Sequence, residues 1–339
     1  MFSKGDSNSY SWRLKQWWNT VARPKFAKPM IEVHPITAQL GAYAFVGIAS
    51  LLTYLYGTFL VIPEVLTDYP GVLLTSLQIL TTVLLLGVLS NLYLVRKRKS
   101  TISGRLLIQP VVKPMSNNIT SLDVDCQLRE KAKHLGEHFT PTPFGEGHNW
   151  HICAACEVFV PPRTWHCHVC NNCILRRDHH CVFTACCIGE ENQCNFLGLL
   201  FYLGVGSTLS SIFCFIYFVY WKEMSVWWYF FRLFVMMYTI IFDFSTMQIL
   251  ATLSTFGQTA AWGVFIYYFA LALKGQTSSD AHRKISRTAP GAGHISYKNL
   301  SNFLGPFPLL RILWPFYKPM RVDYGQPKYQ NEELDRKGL

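Results

Sequence analysis

The runs Gln39 to Ile62 and Gly71 to Val95 lack a polar face. That excludes a soluble helical hairpin, because a helix in contact with water must show it a polar stripe. Each run is long enough to cross roughly 30 Å of hydrocarbon as a helix. The connection from Pro63 to Pro70 contains no Lys or Arg, whereas Arg96-Lys97-Arg98-Lys99 follows the second run directly. Under the positive-inside rule the connection faces away from the cytosol and the chain after it faces the cytosol. The first twenty residues have no apolar core, which speaks against a cleavable signal peptide. Acidic residues are scarce beside basic ones, 20 against 31, for a net charge of +11. With half of all residues hydrophobic and 15% aromatic, that excess fits a membrane surface and not a folded basic face, so no nucleic-acid partner is expected.

Cysteine is almost absent outside one stretch: of eleven in the chain, nine fall between Cys153 and Cys194. They come in C-x2-C pairs, Cys153/Cys156 and Cys167/Cys170, with Cys173 one step on. Such pairs converge on a metal more naturally than they bridge each other, and a reducing cytosol favours zinc-bound thiolates over disulfides. The zinc-competent groups are Cys153, Cys156, His166, Cys167, Cys170, Cys173, one or both of His179 and His180, Cys181, Cys186 and Cys187. Two closed tetrahedral sites use eight ligands. A thiol left over beside Asp178-His179-His180 is the reactive candidate; the competing reading makes Cys181 a ligand and His179 a surface histidine.

The full spacing, C-x2-C-x9-HC-x2-C-x2-C-x4-DHHC-x5-C-x4-N-x3-F from Cys153 to Phe196, resembles the cysteine-rich domain of the DHHC protein S-acyltransferases, the palmitoyltransferases. The resemblance implies one zinc held by Cys153, Cys156, His166 and Cys173 and a second by Cys167, Cys170, His180 and Cys187. It also implies Cys181 as nucleophile, His179 as its base and Asp178 as the group that orients His179. The implied fold is an α-helical polytopic membrane protein with four transmembrane helices and a small cytosolic two-zinc domain of short β-hairpins, expected as a pair. The implied co-substrate is acyl-CoA, palmitoyl-CoA in particular. The implied partners are the lipid bilayer and protein substrates with membrane-proximal cysteines. The chain departs from the family pattern at several points. Val182-Phe183 stands for Pro-Trp, Cys186 for an asparagine, and Thr277-Ser278-Ser279-Asp280 matches Thr-Thr-x-Glu only in part; an Asp-Pro-Gly motif after the second span is missing. These changes motivate an alternative, a zinc-stabilised membrane scaffold with weakened catalysis. A membrane-anchored ubiquitin ligase is disfavoured because Cys153 to Cys173 lacks RING spacing.

The expected organisation is a cytosolic tail over 1–38, a transmembrane hairpin over 39–95 and a cytosolic loop over 96–195 whose zinc module occupies about 150–195. The third and fourth transmembrane helices fall within 196–273, as Phe196 to Trp221 and about Met247 to Leu273, and 274–339 forms a cytosolic tail. The aromatic piece from Trp227 to Phe244 is interrupted by Arg232 and Asp243 and reads as a lumenal interfacial segment. Trp12, Trp17, Trp18 and Val21 among Arg13, Lys15 and Arg23 suit a short basic amphipathic helix at the membrane, or a plain tail. A short helix is expected near Gln127 to Leu135. Phe303 to Tyr317 reads as a cover beneath the module or as an interfacial anchor. Arg176, Arg177 and Lys284 are candidates to meet the CoA phosphates. The expected setting is the endoplasmic reticulum or Golgi, with the catalytic module facing the cytosol.

This topology makes the sequons at Asn118 and Asn299 inaccessible to glycosylation. Both should stay unmodified, whereas a sequon engineered between Pro63 and Pro70, lifted from the bilayer by a spacer, should gain a glycan in a gel-shift assay. Glycan on Asn299 alone would mean that the piece from Trp227 to Phe244 crosses the membrane.

Overall fold

A computed structural model describes residues 35–102, 151–153, 155–156, 158–231, 246–283, 294–319 and 321–322. Contacts divide the chain into Met1–Ala38 and Gln39–Leu339. Of the first unit only 35–38 are described, in a helix; the spans and the cysteine-rich module belong to the second. The expected helices at 12–23 and 127–135, most of the aromatic piece at 227–244, and Lys284 lie outside the described residues.

The helices are α1 (Pro35–Tyr56), α2 (Ile62–Val65), α3 (Gly71–Lys97), α4 (Gln193–Ile216), α5 (Val226–Phe231), α6 (Thr246–Leu273), α7 (Ser278–Arg283), α8 (Tyr297–Leu304) and α9 (Pro308–Leu313). Short π-helical turns at Gly57–Val61 and Tyr217–Trp221 continue α1 into α2 and extend α4. Among the described residues four segments are long and apolar enough to cross a membrane: Gln39–Val65, Gly71–Lys97, Gln193–Trp221 and Met247–Leu273. Most of each span is not covered by the rest of the protein, and Phe45, Ile48, Ile79, Leu86 and Ile266 point outward. A water-facing bundle would show polar residues there; lipid-facing helices need none. The third span begins at Gln193, three residues before the apolar run, because Asn192 stands at its N-cap and Gln193 and Asn195 are buried against neighbours.

The third span packs against the second and fourth. At the end nearer the cysteine-rich module Gly198 permits the approach: a Cβ there would come within 2.8 Å of both Asn91 Oδ1 and the Ile312 carbonyl. Asn91 is fully buried, accepts from Asn195 Nδ2 at 3.0 Å and donates to the Gly87 carbonyl at 2.9 Å. Asn195 Nδ2 also donates to the Pro315 carbonyl at 3.0 Å, and the Tyr202 hydroxyl donates to that of Leu313. These bonds, with Leu300, Phe303, Leu304 and Ile312 packed on Leu197 and Ala272, seat the run Phe303 to Tyr317 on the ends of the third and fourth spans. Its outer side leaves Phe307, Leu309, Leu310, Trp314 and Phe316 exposed.

Between the second and third spans the described residues form three two-stranded antiparallel hairpins, where a pair was expected: β1 (His151–Cys153) with β2 (Val158–Val160), β3 (Trp165–Cys167) with β4 (Asn172–Ile174), and β5 (His179–Cys181) with β6 (Cys186–Ile188). The third exists because the DHHC tetrad itself becomes a strand, closed by a turn in which Ala185 takes a left-handed φ of 51°. Strands of three residues bury little, and the apolar contacts among the hairpins are few: Ile102, Val160 and Leu175 near the first cluster, Ile174 near the second. Gly189, after β6, sits where a Cβ would lie 2.6 Å from the Leu175 carbonyl.

Gly189→Ala should therefore force the two segments apart and destabilise the module by about 1–3 kcal/mol, as overpacking against backbone does. The check is a lowered melting temperature of the detergent-solubilised protein, and an unchanged one would remove the close approach.

Candidate functional site

Successive side chains of a strand leave on opposite faces, and this alternation sorts the module's donors. In β3, His166 and Cys167 are neighbours in sequence and belong to different clusters. His166 pairs across the hairpin with Cys173, and with Cys153 and Cys156 these form one group. In β5, His180 pairs with Cys187, and with Cys167 and Cys170 these form the other. Within each group the ligand atoms lie within 4.8 Å of one another.

The spacing fits zinc. Tetrahedral coordination with Zn–S near 2.3 Å separates two sulfurs by about 3.8 Å, and both Cys156–Cys173 and Cys170–Cys187 stand at 3.6 Å. Each histidine turns Nδ1 inward, 3.2 Å from Cys156 in one group and 3.3 Å from Cys170 in the other. The other nitrogen of His180 meets Gln39 Oε1 at 2.8 Å, which leaves Nδ1 as the donor to a metal. Thiols so crowded cannot all ionise without a cation: Cys167 and Cys170 push the Cys187 thiol far up, and burial, then Cys153 and Cys156, does the same to Cys173.

Alternation also turns His179 and Cys181 away from the ligand His180. Asp178, just before the strand, is 2% exposed. Its Oδ1 accepts the Ser278 backbone N–H at 2.7 Å and lies 3.7 Å from His179 Nδ1. Its Oδ2 accepts from Gln193 Nε2 at 2.9 Å, and the Ser279 hydroxyl donates to its carbonyl. The His179 ring stacks on Tyr268 at 4.8 Å and meets the edge of Phe196 at 5.2 Å. Burial alone would lower the imidazole, but Asp178 and Cys181 outweigh it and raise His179 to about 9. Burial likewise works against the Cys181 thiolate, yet His179 and Thr184 prevail and lower the thiol below its ordinary range. Cys186 sits opposite Cys181 on β6, outside both clusters, and its thiol is pushed up to about 11, by burial first. Of the two thiols on this hairpin outside the clusters, Cys181 is the one lowered and Cys186 the one raised, so Cys181 holds the larger thiolate fraction.

Cys181 and His179 stand at the end of a cavity of about 680 Å³ among the four spans, walled by residues such as Val46, Leu84, Leu199, Phe213, Leu253 and Val264. Val182 and Phe183 line its mouth and are exposed. The segment Thr277–Asp280 is buried against the module despite its partial motif match. Arg163 Nε donates to Asp280 Oδ2 at 3.0 Å and its Nη2 to the Gly275 carbonyl at 3.1 Å. Arg176 is turned inward: 4% exposed, it donates to the Phe303 carbonyl at 2.7 Å and lies over the Phe303 ring. That corrects its reading as a phosphate contact; Arg177, with Ser279 Oγ 3.4 Å from its Nη1, is half-buried. The sequence reading missed Gln39, Thr184, Gln193 and Tyr268, which carry no motif and reach the site only through the fold.

Two thiol–imidazole clusters seated on a four-span bundle define a zinc-competent cysteine-rich domain of a membrane protein. Residues 146–285 match the family model described as DHHC palmitoyltransferase. Among similar proteins are "Probable palmitoyltransferase ZDHHC24" of Mus musculus, 52% identical over 16% of this chain and 20% of its own length, and "Palmitoyltransferase ZDHHC23-A" of Danio rerio, 37% identical over 29% and 24%. "Probable protein S-acyltransferase 13" of Arabidopsis thaliana is 42% identical over 19% and 22%. The chain thus spans about a fifth to a quarter of the length of these curated relatives.

Two complete ligand sets predict two zinc ions per chain by elemental analysis. Cys153→Ala or Cys187→Ala should lose metal and folded yield together, since a structural site contributes on the order of 10 kcal/mol to folding. His180→Ala should lose zinc while His179→Ala keeps both; the opposite pattern would exchange the two histidines.

Proposed function

We propose that the chain is a protein S-acyltransferase that moves a long-chain fatty acyl group, palmitoyl foremost, from acyl-CoA through Cys181 to cysteine thiols of membrane-associated proteins. The observation that carries this reading is a low-pKa thiol beside an imidazole at the end of a large apolar cavity between membrane-spanning helices. Two zinc ions, held by Cys153, Cys156, His166 and Cys173 and by Cys167, Cys170, His180 and Cys187, supply structural support to the module.

In the first half-reaction Cys181 Sγ attacks the thioester carbonyl carbon, the proton having passed to His179. The bond to the CoA sulfur breaks, and the CoA thiolate takes the proton from His179. In the second, an acceptor thiol loses its proton to His179 and attacks the acyl-Cys181 carbonyl. Cys181 leaves and is reprotonated. One thioester replaces another at each stage, so the exchange is close to energetically neutral. Asp178 orients His179 and stabilises the imidazolium, and Tyr268 covers one face of the ring. The basic run from Arg96 to Lys99 supports a cytosolic position for the module. The scaffold alternative is weaker, because the departures from the family pattern leave Asp178, His179 and Cys181 in one constellation.

With clickable palmitoyl-CoA, hydroxylamine-sensitive label should form on the purified protein and vanish in Cys181→Ser with zinc content unchanged; label persisting there ends the assignment. His179→Ala should slow acyl-enzyme formation roughly a hundredfold or more. Raising the pH should restore part of that rate, because a thiol without its base returns to the ordinary range near 8.5 and ionises only as the solution becomes alkaline. A variant that scarcely slows, or one that gains nothing at high pH, contradicts the base role.

A further inference from the structure

Gln193 is the first residue of α4, at the base of the third span, and is 4% exposed. Its Nε2 donates to Asp178 Oδ2 at 2.9 Å; an ionised carboxylate can only accept, so the amide must present its nitrogen there. Its Oε1 has no partner among the described residues. A buried amide with half its hydrogen-bonding capacity unmet is a cost to folding, so packing alone does not account for it.

The effect of its one side-chain bond is set by the torsion of a carboxylate. Rotation about the last bond of an aspartate is broad and nearly two-fold, so a donor on one oxygen leaves the plane free to swing. Asp178 has donors on both: the Ser278 N–H on Oδ1 and Gln193 on Oδ2. Together they fix the plane with Oδ1 toward His179 Nδ1. Gln193 is itself fixed, because its N–H donates to the Gly189 carbonyl at 3.0 Å and the preceding Asn192 side chain is tied to Gly189, Val95 and Cys187.

We infer that Gln193 is a positioning residue for acyl transfer, acting through Asp178 and linking the base of the third span to the reactive group. The inference rests on reading Asp178, His179 and Cys181 as the acyl-transfer group.

The test compares the full-length wild type with Gln193→Met, Gln193→Glu, Asp178→Ala and Gln193→Met/Asp178→Ala, measuring acyl-enzyme formation from palmitoyl-CoA over a range of concentrations, with zinc content alongside. Gln193→Met should lose on the order of tenfold to a hundredfold in the saturated rate, as small misplacements of reacting groups do, with half-saturation and both zincs unchanged. In the Asp178→Ala background the same substitution should cost less than about twofold, because a residue acting through Asp178 has nothing left to act on. A merely structural role would cost as much in both backgrounds, and that result overturns the inference. If Gln193→Met loses zinc, Gln193→Glu carries the same expectations, since it keeps the size and polarity but cannot donate while ionised. Wild-type rates in Gln193→Met with a slow Asp178→Ala would sink the role of Gln193 alone. A wild-type rate in Asp178→Ala would sink the triad reading and this inference with it.

Discussion

Because successive side chains of a β-strand leave on opposite faces, the three residues of β5 cannot share one environment. His180 points to the second cysteine cluster and His179 and Cys181 point away from it. The candidate metal donor and the candidate reactive thiol are thereby kept apart at a separation of one residue, with no chain spent on a linker. The same rule in β3 sends His166 and Cys167 to different clusters, so the two ligand sets interleave along the chain yet remain separate in space. A one-residue slip in either hairpin would exchange the faces, and the cross-strand pairs His166–Cys173 and His180–Cys187 set the register against it.

Asp178 adds a second constraint. A carboxylate shielded from water costs several kcal/mol unless donors surround it, and here they come from distant parts of the chain: Gln193 at the start of the third span, and Ser278 beyond the end of the fourth. The Arg163–Asp280 pair clamps that last segment to the loop before β3. A module with few apolar contacts of its own is in this way joined to the bundle by polar contacts centred on the reactive group. The buried Arg176, held in a left-handed conformation at a φ of 43°, makes a further tie to α8 through Phe303. Each tie sets donors on acceptors in a partly or fully buried place, where a hydrogen bond is electrostatically stronger than in water.

How much of this was legible in the sequence depends on the range of each signal. The spans declare themselves by composition, and cysteine spacing over a few tens of residues announces metal binding, whereas the division of the donors into two ligand sets came from the resemblance to the DHHC family and not from spacing. The segment Thr277–Asp280 was recognisable as a partner of the module even with two of its motif positions altered, because Asp280 still supplies the carboxylate that Arg163 needs. Gln193, Tyr268 and Gln39 could not be read. Each is an ordinary residue at a helix end or on a helix face, and its part depends on a contact with a residue between about 15 and 141 positions away. Arg176 was misread for a related reason: a charge in a basic run suggests solvent, whereas the turn it occupies directs it inward. The third hairpin was missed because a tetrad dominated by chemistry does not look like a strand.

The cavity is the feature least visible in the sequence, and its walls say what it can hold. Several of the hydroxyls that line it are committed within the bundle: Ser50 donates to the Val46 carbonyl at 2.7 Å, Tyr54 bonds Thr82 at 3.0 Å, Thr58 donates to Thr81 at 2.9 Å, and Ser210 bonds Ser254 at 2.8 Å. A polar ligand entering this space would exchange water for walls that are mostly apolar and lose hydrogen bonds. A hydrocarbon chain loses none, and each methylene removed from water contributes about 0.8 kcal/mol. The proposed acyl-enzyme would therefore be held along its chain, with only the thioester at Cys181 presented to an acceptor. On the proposed reading, discrimination against short acyl groups would come from the depth of apolar wall and not from any contact at the reacting carbon, where His179, Cys181 and Asp178 would meet every thioester alike.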